Sequence, residues 1–104
     1  MAMKEQIKQK EIITWLESLG AYVIKVISAN RKGCPDIVAC VPTVITSDMV
    51  GQKIGAFVAI EVKKSTKDDA SPLQGTHIEE ILSSKGKAGK AVNIYQARAI
   101  LRAP

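Results

Sequence analysis

Ala56 to Val62 is the most apolar stretch of the chain, and a single carboxylate, Glu61, interrupts it. Seven residues suit a β-strand and fall far short of the roughly 20 apolar residues of a membrane span. Alternate side chains along a strand share a face, so Phe57, Ala59, Glu61 and Lys63 are expected to point one way and Val58, Ile60 and Val62 the other. A carboxylate directly behind Phe57-Val-Ala-Ile60 costs desolvation energy unless a cation or hydrogen bonds compensate it. Two readings stand side by side: a strand end emerging into solvent, or a binding site.

The flanking pattern supplies the partners for such a strand. Residues 4 to 19 place Ile12, Leu16 and Leu19 at helical spacing among Lys, Glu and Gln, with Ile13 and Trp15 beside them, and Gly20 ends the helix. Ala21 to Ile27 is β-branched and aromatic, hence a strand; Ser28 to Pro35 is a loop by composition, and Asp36 to Val41 is a second strand. Pro42 to Lys53 is an irregular connection leading to the third strand at Ala56 to Val62. After a charged loop from Lys64 to Ser71, Ser71-Pro72 offers an N-cap with proline at the first helical position, opening a second helix to Ser84. Lys85 to Lys90 is expected to be a turn, Ala91 to Tyr95 a fourth strand and Gln96 to Arg102 a short closing helix. This order predicts one α/β domain over residues 1–104, a mixed central sheet flanked by helices.

Fifteen Lys and Arg against ten Asp and Glu give a net charge of +5, which suits a polyanionic partner through counterion release. Cys34 and Cys40 lie six apart with one His in the chain, so neither a four-ligand zinc site nor a CxxC pair can be assembled; they are expected to be free buried thiols in a reducing compartment. No leader-like start and no membrane-length apolar run is visible, so the expected location is cytoplasmic, with no membrane partner. Trp15 and Tyr22 are expected in the core, and the lone His77 is expected to be structural rather than a general base.

Gly33-Lys-Cys-Pro-Asp36 is the second stretch with chemical content: glycine permits a tight turn, proline fixes the approach, and Asp36 begins an apolar strand. Neighbouring antiparallel strands would bring Asp36 and Glu61 to one point, and hard cations take such oxygen ligands.

Taken in order, Gly33-Lys-Cys-Pro-Asp36-Ile37, Ile60-Glu61-Val62-Lys63 and Ser71-Pro72-Leu73-Gln74 resemble the motifs of the VRR-NUC family within the PD-(D/E)XK nuclease superfamily. The resemblance spans nearly the whole chain and implies a restriction endonuclease-like αβββαβ core. It further implies Asp36 and Glu61 as magnesium or manganese ligands, the Val62 carbonyl as another, and Lys63 as the residue that orients the attacking water and steadies the phosphorane charge. Gln74 would hold a ligand water, Lys63 or a phosphate. The family places a Glu in the first helix, where Glu5, Glu11 and Glu17 are available. At about 100° per residue only Glu5 falls between Ile12 and Leu16 on the apolar face. Arg31, Lys32, Lys64 and Lys67 surround the proposed site and are candidates for contacts to the DNA backbone.

The activity implied is hydrolysis of DNA phosphodiester bonds, structure-selective on branched DNA, without a small-molecule cofactor. Members of minimal size resemble Holliday junction resolvases in working as homodimers, and the resemblance is compatible with a phage-encoded enzyme in a bacterial host. Val44, Ile45, Met49 and Val50, apolar yet outside any expected strand, are candidates for a dimer contact or for capping the core. The rival from another class is a non-catalytic nucleic-acid-binding module with the same fold.

Overall fold

The computed structural model describes residues 2–54, 56–65, 67 and 70–102, with side chains from Glu5 onward. Helix α1 (Ala2–Ser18) leads to strands β1 (Tyr22–Lys25), β2 (Ile37–Cys40) and β3 (Phe57–Val62), then helix α2 (Pro72–Ser83), strand β4 (Lys87–Ala91) and helix α3 (Ile94–Arg102). The strands form one sheet in the order β1-β2-β3-β4. The first two pairings are antiparallel, and β3 pairs with β4 in parallel, which needs α2 as the crossover.

Strand alternation decides which face is covered. Ile37, Ala39, Val58, Ile60, Val62 and Ala91 gather with Ile12 and Leu16 of α1 and Ala97 of α3 into the buried core. The opposite face carries Tyr22, Ile24, Val38, Cys40 and Phe57; among the described residues α2 packs chiefly on β3 and β4, which leaves most of the β1–β2 half of that face uncovered. Tyr22 is therefore 71% exposed, contrary to its expected place in the core, because its position in β1 points away from α1. For the same reason Cys40 is exposed; Cys34, in the loop before β2, is half-buried, so neither is the buried thiol expected. Trp15 packs half-buried against the core, as expected.

The largest departure lies at the fourth strand, which occupies Lys87–Ala91 instead of Ala91 to Tyr95. Lys-Ala-Gly-Lys-Ala has weak intrinsic β preference, and parallel pairing with β3 overrides it. Gly89 belongs there because a Cβ would approach Ile100 of α3 to 3.0 Å. The expected turn shrinks to the helix end, where Lys85 takes φ 72° and Gly86 N–H donates to the Ile81 carbonyl. Helix α3 accordingly begins at Ile94, capped by Asn93, whose Oδ1 accepts from Gln96 N at 2.9 Å. Among the described residues no helix is long and apolar enough to cross a membrane.

Candidate active site

The antiparallel register sets Ile37 opposite Ile60, so Asp36 meets Glu61 one step further along. The two motifs thus converge at one end of the sheet. Asp36 Oδ2 accepts from the Val62 backbone N–H at 2.8 Å, which also brings the Val62 backbone into the site. Glu61 is 3% exposed. Its Oε2 accepts from Gln74 Nε2 at 2.9 Å, while Oε1 is buried with no hydrogen-bond partner among the described residues. As carboxylates, neither Asp36 nor Glu61 can donate to the other. With a proton on Glu61 the pair can share it.

That arrangement perturbs Glu61 strongly. Burial, followed by the Asp36 charge and the hydrogen bond to Asp36, pushes its carboxyl from 4.5 up to about 8; Lys63 works against the shift and Glu5 adds to it. Glu5, half-buried near the start of α1, is thus within electrostatic reach of Glu61. Helical phase places Glu11 and Glu17 on the exposed side.

Lys63 and Gln74 are tied to the same carboxylate. Lys63 Nζ donates to Gln74 Oε1 at 2.9 Å and lies 3.9 Å from Glu61 Oε2. The Ser71 backbone N–H donates to the same Gln74 oxygen at 2.8 Å, and Ser71 Oγ accepts from Gln74 N, so a capping box at the start of α2 holds Gln74 in place. One glutamine side chain therefore fixes Lys63, Glu61 and a helix start together.

The loop before Asp36 is clamped on α2. Gly33 has φ 83°, and a Cβ there would lie 2.7 Å from Leu73 Cγ and 3.2 Å from the Leu73 carbonyl carbon. His77 is buried and donates from Nε2 to the Lys32 carbonyl at 2.6 Å, the structural role expected of it. Gly33→Ala is expected to lose roughly 2–4 kcal/mol of stability through backbone strain and the clash. Thermal unfolding followed by circular dichroism checks this; a midpoint within about two degrees of wild type would contradict it.

The basic residues behave differently from one another. Arg31 is paired with Glu80 of α2 at 2.6 Å, with both side chains about half exposed, so it is held at the surface rather than aimed at the carboxylates. Lys32, Lys64 and Lys67 are exposed. The Lys64 carbonyl accepts from Lys8 Nζ at 2.7 Å, which ties the residues after β3 to α1. Gln9, which the motifs do not single out, is 8% exposed with a buried and unpartnered Oε1. The helical phase that selects Glu5 selects Gln9 as well.

Among the described residues no three His, Cys, Asp or Glu side chains are grouped closely enough to hold a metal ion by themselves. A magnesium-type ion is commonly held by one or two carboxylates and several waters, and two crowded carboxylates with an orphaned buried oxygen fit that donor set.

The fold and site together define an α/β protein whose mixed four-stranded sheet gathers two acidic residues, a lysine and a glutamine at one strand end. Among solved structures, a chain described as a VRR_NUC domain superposes with a TM-score of 0.72 at 23% identity, over 94% of each chain, which establishes the shared fold. No family model matches the sequence, and no curated protein matches it.

Proposed function

We propose that this chain is a metal-dependent nuclease that hydrolyses DNA phosphodiester bonds at the Asp36–Glu61 site. The observation that carries this reading is the convergence of two carboxylates beside a glutamine-held lysine, with one buried carboxylate oxygen unpartnered. Asp36, Glu61 and the Val62 carbonyl are the groups that would hold magnesium or manganese, with Glu5 contributing charge from α1. A bound divalent cation supplies Lewis acidity at the scissile phosphate and lowers the pKa of a bound water.

Lys63 places a positive charge where the transition state gains negative charge, and its hydrogen bond to Gln74 keeps it there without reorganisation. Gln74 also orients Glu61. Lys32, Lys64 and Lys67, with Arg31 at the margin, offer contacts to the DNA backbone. A module that only binds DNA gains nothing from two crowded carboxylates that repel phosphate, which favours the enzyme. Nicking of supercoiled plasmid with magnesium or manganese, and its absence in EDTA, is the expected result; no nicking with either ion overturns the reading.

The substrate proposed is branched DNA of the Holliday junction type, cut by a homodimer that brings one site to each of two strands. Support for the dimer comes from the uncovered sheet face: Tyr22, Ile24 and Phe57 are 71%, 45% and 47% exposed. Val44, Ile45 and Val50 are exposed as well, so they do not cap the core. Contiguous apolar surface of this kind marks contact sites. Ile24→Lys is expected to yield a folded monomer by light scattering, and a variant with wild-type mass would remove this face from the dimer.

A further inference from the structure

The chain's net charge is unevenly placed. Residues 1–80 carry ten basic and ten acidic residues, whereas residues 81–104 carry five basic residues, Lys85, Lys87, Lys90, Arg98 and Arg102, and no acidic ones. The whole excess of +5 therefore lies in the segment that forms β4 and α3. On α3, Tyr95, Arg98 and Arg102 follow i, i+3, i+7 spacing and share one face, while Ala97, Ile100 and Leu101 pack toward the core.

That outer face is organised. Tyr95 is 77% exposed. The Arg98 guanidinium lies 5.8 Å from the centre of the Tyr95 ring and 6.0 Å from that of Trp15, so it is braced between an aromatic of α1 and one of α3. The helix start is held by the Asn93 cap and by Gln96 Oε1, which accepts from Val92 N at 3.0 Å. Its position matters too. The Ala91 carbonyl at the end of β4 accepts from the Lys63 backbone N–H at 2.9 Å, and α3 begins shortly after, at Ile94, with Tyr95 next to it. The stripe thus starts just after the end of β4 that lies beside Lys63.

We propose that the outer face of α3 is a second nucleic-acid contact, distinct from the carboxylate site, that stacks an unpaired base on Tyr95 and holds its strand's phosphates at Arg98 and Arg102. The proposal rests on the reading that the chain acts on DNA and specifies where a strand lies beyond the site. An exposed ring backed by a guanidinium has a free π-face for a base that has left the duplex, and positive charge without competing carboxylates on the same helix suits its backbone. A paired base, stacked on both sides, cannot take up the ring. The surface therefore favours junctions, flaps and single strands over plain duplex.

The test is fluorescence anisotropy of labelled single-stranded, flapped and blunt duplex oligonucleotides with the whole protein in EDTA, so that binding is read apart from cleavage. Tyr95→Ala is expected to weaken single-strand and flap binding about tenfold and leave blunt duplex within about twofold. Arg102→Ala is expected to weaken all three and to lower the slope of log affinity against log salt by roughly 0.7–0.9. Trp15, the one tryptophan of the chain, reports directly: its emission should change when single strand binds wild type and change less with Tyr95→Ala. Lys25→Ala, exposed on β1 at the opposite edge of the sheet, is the charge control and should retain wild-type binding. Both α3 positions are exposed, so the variants should keep the wild-type unfolding midpoint. If wild type cleaves DNA while both α3 variants bind as it does, or if Lys25→Ala is as damaging as Arg102→Ala, this surface is refuted alone. If wild type neither binds nor cleaves, the nuclease reading falls and the surface with it.

Discussion

Glu61→Gln is expected to abolish cleavage, by about a thousandfold or more, and at the same time to make the metal-free protein more stable above pH 8. Both follow from removing a buried carboxylate that can ionise and hold a cation. Folding raises the Glu61 carboxyl from 4.5 to about 8, chiefly by burial and then by the Asp36 charge. The fold thus favours the protonated form, and the stability this contributes is fully present below pH 4.5 and lost as pH rises through 8. Glutamine cannot ionise, and its carbonyl still accepts from Gln74 Nε2. The variant should therefore match wild type near pH 4.5 and exceed it at pH 9 by roughly 2–5 kcal/mol. Magnesium or manganese should raise the unfolding midpoint of wild type at pH 8 and leave that of the variant nearly unchanged, since the cation relieves the repulsion that the variant lacks. Thermal scans at pH 5 and pH 9, with and without manganese, decide the matter. A variant less stable than wild type at pH 9 contradicts the account of Glu61.

Lys63→Met carries the second large effect. The side chain is 15% exposed, donates to Gln74 Oε1 at 2.9 Å and stands 3.9 Å from Glu61 Oε2. Removing the ammonium is expected to lower the cleavage rate about 10²–10³-fold, the scale set by losing one preorganised transition-state contact. Manganese affinity, read by calorimetry, should be retained or increased, because a neighbouring positive charge no longer opposes the ion. Lys63→Arg should rescue poorly, since a planar fork cannot replace a point charge in the space Gln74 defines. Cleavage by Lys63→Met within tenfold of wild type would exclude Lys63 from the chemistry.

The parts of the fold legible in the sequence were those where pattern and burial agree. Short continuous apolar runs located β2 and β3, and Ser71-Pro72 located the start of α2, which the capping box bears out. The pairing of Asp36 with Glu61 followed because antiparallel neighbours carry their end residues to one place. Strand β4 was not legible: Lys87-Ala-Gly-Lys-Ala91 owes its conformation to pairing with β3 and to the close approach of Ile100 at Gly89, and neither is a local property.

The same limit explains Tyr22 and Arg31. A β-branched and aromatic run signals a strand without saying which of its faces a helix will cover, and α1 covers the face Tyr22 does not share. Arg31 is adjacent to the site in sequence, but its partner Glu80 comes from α2, 49 residues away. Gln74 is the converse case. The motif placed it near the site, and only the structure shows that its one side-chain oxygen serves both Lys63 and the helix cap.

Cleavage of labelled Holliday junctions by wild type and by Asp36→Ala, in magnesium or manganese at pH 8 with both proteins verified as folded and DNA-binding, tests the central claim most directly. The account predicts cation-dependent cutting by wild type and none by Asp36→Ala. Cutting by Asp36→Ala at the wild-type rate would contradict it.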